Sequence, residues 1–207
     1  MSNIFSLILH IDKVLPPLAQ QFSGWIYLIL FFVIFSETGL VFMFFLPGDS
    51  LLFVAGSLAG LGLLELDLLL ITCSIAAILG DSLNYTLGFN FGKAFLKKMP
   101  FIKENHIQKT ERFYEQYGPK TIVLCRYIPV VRTFAPFIAG VVRMKYNIFF
   151  SYNVIGALIW VLSLVISGYF FGQLAWVQSH MSQVTIFIII LSFLPLILDF
   201  LKKKKHH

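Results

Sequence analysis

TIVLCRYIPVVRTFAPFIAGVVRMK, residues 121–145, is the stretch on which the reading of the whole chain turns. It is apolar enough to enter a bilayer, yet it holds Arg126 and Arg132 in its interior. In one straight helix, at about 100° per residue, the two arginines would stand about 240° apart and point to nearly opposite sides. Pro129 lies between them. It has no backbone N–H to give, so the spacing predicts a kink or break there. A break lets both guanidinium groups turn toward one place. Broken backbone at membrane depth is tolerated only where it is buried in protein or lines a wet cavity. An arginine at the bilayer centre costs about 2.5–3.5 kcal/mol on insertion scales, so two of them need partners or a task.

Composition sets the solvent. Of the 207 residues, 58% are hydrophobic and 13% charged, against about 45–50% and about 25% in ordinary soluble domains. The mean hydropathy is +0.83. These values describe an integral membrane protein and exclude a soluble core. A pI near 9.3 would suggest nucleic acid in a soluble chain. Here the cations flank apolar spans, which points to membrane orientation and to no nucleic-acid partner. Cys73 and Cys125 sit in apolar runs and read as packed thiols. The first residues lack a basic region followed by a small-residue cleavage site, so no removable signal peptide is expected. His206 and His207 read as the stub of a tag.

Upstream, residues 4–18 place apolar side chains at helical spacing up to Pro16-Pro17, which predicts an interfacial amphipathic helix. A first span is expected over 22–41, with Glu37 inside it. FLPGDSLLFVAGSLAG, residues 45–60, is broken at Pro47-Gly48-Asp49 and is too short to cross alone; a re-entrant hairpin over about 41–63 fits it. A second span over 68–91 contains Asp81 and Asn84. The basic stretch 92–120 reads as a cytoplasmic loop, and the arginine stretch as a second re-entrant hairpin over about 121–143. Further spans are expected over 147–172 and 184–200, before the lysines at 202–205.

With both termini, the 92–120 loop and the 143–145 link in the cytoplasm, every Lys and Arg except Arg126 and Arg132 lies inside. The outer links at about 61–67 and 173–183 then carry none. This gives an all-α polytopic membrane protein, a single membrane domain with about four full spans and two hairpins. An inverted repeat is suggested within it, residues 22–91 and 121–172. Pro47-Gly48-Asp49 followed by Ala55-Gly56 echoes Pro129-Val-Val-Arg132 followed by Ala139-Gly140. Each hairpin precedes a span ending in Gly-x-x-x-Gly, Gly88 to Gly92 and Gly168 to Gly172. That motif is weak alone, and its recurrence at matching places gives it weight. Two interrupted segments in corresponding halves are a pointer to a transport site.

The polar constellation is Glu37 and Asp49 from one half and Arg126 and Arg132 from the other, with Asp81 as a further member. An arginine fork suits two oxygens of a phosphate. A carboxylate in low dielectric can load and release a proton. Phosphate capture by the arginines and proton handling by the acids would make a coupled carrier. Purely structural ion pairing is the alternative, disfavoured because desolvation can exceed the Coulomb gain.

Glu37-Thr-Gly, Leu46-Pro-Gly-Asp-Ser, and Gly80-Asp-Ser-Leu-Asn-Tyr-Thr-Leu-Gly88 resemble motifs of the DedA family of bacterial membrane proteins. So do Arg126-Tyr-Ile-Pro-Val-Val-Arg132 with Ala139-Gly140, and Asn153-Val-Ile-Gly-Ala-Leu-Ile-Trp160. Together they cover roughly residues 25–175. The resemblance implies a multi-pass protein of the bacterial cytoplasmic membrane, sharing a domain with eukaryotic lipid scramblases. It implies return of undecaprenyl phosphate across that membrane with dependence on the proton-motive force, and functional roles for Glu37, Asp49, Arg126 and Arg132. The partners expected are an anionic lipid phosphate, protons and membrane lipids; self-association is left open. A scramblase and a proton-coupled small-solute or drug transporter are the rival readings. No enzyme is expected, since His10, His106 and His180 lie away from the arginine stretch. No cofactor is expected either, since the chain has no nucleotide loop and no His/Cys cluster.

Overall fold

The computed structural model describes residues 24–43, 46–98, 118, 120–126, 128–180, 183–184 and 186–187. The expected amphipathic helix at 4–18, most of the basic loop and nearly all of the last span lie outside that set. Every described element is helical. In chain order they are α1 (Trp25–Gly39), a 3-10 turn (Val41–Met43), α2 (Gly48–Gly60), α3 (Leu66–Lys98), α4 (Lys120–Cys125), α5 (Pro129–Val141), α6 (Tyr146–Phe171) and α7 (Ala175–Ser179). Two stretches are long and apolar enough to cross a membrane, Leu66–Gly92 in α3 and Tyr146–Phe171, with 27 and 26 residues, where about 20 suffice.

Their polarity is turned inside out. On α3 the exposed side chains Leu68, Ile71, Ile75 and Leu79 form an apolar stripe, while Asp81 and Asn84 are buried. α6 likewise exposes Ile155, Leu158, Ile159, Leu162 and Ile166 and buries Asn153. A helix in water does the reverse. In lipid, polar and ionisable side chains belong on the protein side.

The arginine stretch is broken as its spacing predicts. α4 ends at Cys125, Ile128 is extended (φ −114°, ψ 104°), and Pro129 opens α5 as its first residue. There the missing proline N–H costs nothing, because the first N–H groups of a helix have no partner within it. The break therefore lies just before Pro129. Pro136, inside α5, cannot donate to the carbonyl of Arg132 four residues back.

The described chain divides into two compact units. One holds residues up to Val33, Leu46–Ile75 and Val161 onward; the other holds Ile34–Phe45 and Ala76–Trp160. In the first, α2 packs on the later part of α6. A Cβ on Gly56 would overlap the Val165 carbonyl, one on Gly60 the Tyr169 carbonyl, one on Gly168 the Phe53 carbonyl and one on Gly172 the Ser57 side chain. In the second, α5 packs on the later part of α3 in the same manner. Here Gly88 faces the Phe137 carbonyl, Gly140 the Tyr85 carbonyl and Gly92 the Val141 side chain. Small residues let helix backbones approach this closely. The Gly-x-x-x-Gly motif on α3 thus meets α5, and the one at the end of α6 meets α2.

Candidate functional site

Among the described residues, the second unit buries four charged side chains. Glu37 comes from α1, Asp81 from α3, Arg126 from the turn after α4 and Arg132 from the second turn of α5. Glu37 is fully buried and Arg132, the least buried, is 8% exposed. The Arg132 Nη2 donates to the Glu37 carboxylate, and the Arg126 Nη2 to the Asp81 carboxylate. The helix break makes this possible, since Arg126 lies in the turn after α4 and Arg132 lies on α5. Two cations and two anions leave the group formally neutral. Removing one member of such a buried pair strands its partner's charge.

Arg126 is also held from α6. Its Nη2 donates to Asn153 Oδ1 at 2.6 Å, and Asn153 Nδ2 donates in turn to the Ile78 carbonyl at 3.0 Å. One turn further along α6, a Cβ on Gly156 would lie 3.0 Å from the Arg126 Cδ and Nε, so the missing side chain makes room for the arginine stem. Another turn on, the buried indole of Trp160 lies beneath both guanidinium groups, 4.9 Å from Arg132 and 5.9 Å from Arg126. Residues 153, 156 and 160 share one helix face.

A second clasp comes from Asn84 on α3, one turn after Asp81. Its Nδ2 donates to the Thr38 carbonyl at 3.0 Å and to the Thr133 carbonyl at 2.7 Å. Those residues directly follow Glu37 and Arg132. One amide therefore ties together the two backbone segments that carry that ion pair. Its Oδ1 is buried with no hydrogen-bond partner among the described residues. Gly80 permits the close approach of α1, because a Cβ there would collide with the Thr38 side chain.

Of the residues singled out from the sequence, Glu37, Asp81, Arg126 and Arg132 come together in this unit. Asp49 lies in the other unit, half-buried in the first turn of α2, where the helix N-terminus favours an anion. Pro47 precedes that helix as its cap and accepts from Leu51 N at 2.9 Å and Ser50 Oγ at 3.0 Å; Gly48 is its first residue, buried. Pro129 opens α5, and Gly140, Gly88 and Gly92 lie in the packing seam of the second unit. The face of α6 formed by Asn153, Gly156 and Trp160 was not singled out as the one that receives the arginines, since α6 is apolar nearly all round. The carbonyls bound by Asn84 left no sequence signal.

Residues 46–170 match the VTT domain. The chain is 45% identical to protein DedA of Escherichia coli K12 over 206 residues, which is 98% of this chain and 94% of that one. It is 36% identical to ML0287, an uncharacterized membrane protein of Mycobacterium leprae, over 79% of this chain and 74% of that one. It is 30% identical to the inner membrane protein YghB of E. coli K12, over 80% and 77%. No solved structure matches. A multi-helix membrane protein with this domain over more than half its length belongs to the VTT-domain family, within it the DedA group.

Proposed function

We propose that the protein is a lipid transporter of the bacterial inner membrane that returns undecaprenyl phosphate across the bilayer, driven by the proton-motive force. The observation that carries this reading is the pair of arginines buried in an apolar helical body, each opposed by a carboxylate that a phosphate could replace. Relatives named as inner membrane proteins support the location. In this reading α2 with the turn before it, and α4 with α5, are hairpins that enter the bilayer from outside and inside without crossing it. All cations other than Arg126 and Arg132 then lie on the cytoplasmic side.

The headgroup enters from the outer face while its tail stays in lipid. Its phosphate takes the forks of Arg126 and Arg132. A displaced carboxylate, Glu37 foremost or Asp81, has lost its counter-charge in a low dielectric and takes a proton. Alternating access of the two repeats turns the loaded site inward. There the proton leaves, the carboxylate pairs with arginine again and the phosphate is released. The formal neutrality of the four groups suits such a cycle, since one phosphate charge and one proton enter together.

The test is headgroup accessibility in vesicles of purified protein under an imposed pH gradient. Undecaprenyl phosphate should move faster with the outside acidic. Glu37→Gln should lose the gradient dependence and keep part of the binding. Movement that ignores the gradient and treats ordinary phospholipids equally would replace this reading with passive scrambling.

A further inference from the structure

Two guanidinium groups over one indole are an unusual load for a single side chain. Like charges drawn to one ring repel, and in low dielectric they do so strongly. In the structure Glu37 and Asp81 neutralise them. During any exchange of carboxylate for another anion, that neutralisation is interrupted. The negative face of an aromatic ring attracts a cation without forming a bond that must be broken, and tryptophan does so best. Trp160 is 2% exposed and closes the helix face begun by Asn153 and Gly156, both of which touch Arg126. A ring in that place holds the guanidinium planes while leaving their N–H edges to turn from carboxylate to ligand.

We infer that Trp160 is a positioning residue for anion exchange: its indole keeps Arg126 and Arg132 side by side and in register for a phosphate when their carboxylate partners let go. The inference rests on the phosphate reading above. It adds that the site's affinity depends on the electron density of one ring as well as on the two charges. Preorganisation is the physical reason, since an arginine that must be re-ordered on binding costs affinity.

The experiment uses the full chain with Trp25→Phe and Trp176→Phe, two exposed positions outside the site, so that Trp160 is the sole tryptophan. It is produced with tryptophan, fluorotryptophan, difluorotryptophan or trifluorotryptophan, which keep the ring's shape and progressively weaken its negative face. Each protein, in nanodiscs of phosphatidylcholine, is titrated calorimetrically with dodecyl phosphate. Affinity should fall step by step with each fluorine, by about tenfold across the series. Trp160→Phe should bind more weakly than the unsubstituted ring and remain folded by circular dichroism. An affinity that is flat across the series overturns the positioning role, because a merely space-filling ring would not sense fluorine. No binding of dodecyl phosphate to the unfluorinated protein overturns the phosphate reading itself, and this inference with it.

Discussion

The two units use one packing device and load it differently. In the first, Gly56, Gly60, Gly168 and Gly172 let α2 lie against α6, where they meet backbone carbonyls and the uncharged side chains of Ser57 and Gln173. In the second, Gly88, Gly92 and Gly140 let α5 lie against α3, and the same unit buries Glu37, Asp81, Asn84, Arg126, Arg132 and Asn153. The backbone seam needs no charge, as the first unit demonstrates. By that comparison the second seam should pack without its charges, and burying them is poor value for stability.

That contrast breaks most sharply at the Glu37–Arg132 pair. Arg132→Leu or Glu37→Leu alone should cost about 3–5 kcal/mol of stability, because each leaves an uncompensated buried charge. The double variant Glu37→Leu/Arg132→Leu should regain nearly all of it, since apolar replacement of a buried pair is often neutral or better. Lipid-phosphate binding should be lost in all three. Thermal unfolding in detergent beside a binding assay reads both. A double variant as unstable as the singles would make the pair part of the scaffold.

Sequence reasoning reached the seam and the break for one reason: glycine and proline act locally. Pro129 announces the break by its missing N–H, and the paired Gly-x-x-x-Gly motifs announce the close approach. It did not reach the pairing within the site. Asp81 stood as an outlying member, yet it is the carboxylate bound by Arg126. Glu37 and Arg132 are 95 positions apart and Asp81 and Arg126 are 45, and no local pattern chooses between such partners. The face of α6 formed by Asn153, Gly156 and Trp160 was hidden for another reason. α6 is apolar nearly all round, so it offers no polar stripe from which an inward side could be read. That Gly88 and Gly92 meet α5 while Gly168 and Gly172 meet α2 was hidden likewise, because a glycine shows that something comes close without showing what.

A smaller effect sharpens the equivalence of the two seams. Gly168→Val and Gly88→Val each drive a side chain into a backbone carbonyl of the facing helix. Both should destabilise by about 1–3 kcal/mol or more, in similar measure. Only Gly88→Val should also weaken lipid-phosphate binding, because α3 carries Asn84 and Asp81 one and two turns before it. Unequal melting losses would show that the seams differ as scaffolds. Equal binding losses would spread the site over both units.

The smallest effect lies where α2 and α5 end. Both close with the same pair of bonds: Gly62 N to the Ala59 carbonyl and Leu63 N to Leu58, against Arg143 N to Gly140 and Met144 N to Ala139. Both put a left-handed residue after the cap, Gly62 at φ 74° and Arg143 at φ 54°. Glycine adopts that conformation without strain, whereas a side chain costs about 1 kcal/mol or somewhat more. Arg143 offsets the strain in two ways. Its guanidinium lies 5.3 Å from the centre of the Phe89 ring, worth about 0.5–1 kcal/mol. Its charge also sits at a helix C-terminus, worth about 0.3–1 kcal/mol. Arg143→Gly should therefore leave stability within about 1 kcal/mol of the parent, because strain and compensation leave together. Arg143→Ala should be worse than Arg143→Gly, since it keeps the strain and loses both compensations. Gly62→Ala should cost about 1 kcal/mol, having nothing to offset it. Melting temperatures of the three variants give the order. If Arg143→Ala proved as stable as Arg143→Gly, the left-handed turn would carry no strain, and the two helix ends would differ in side chain alone.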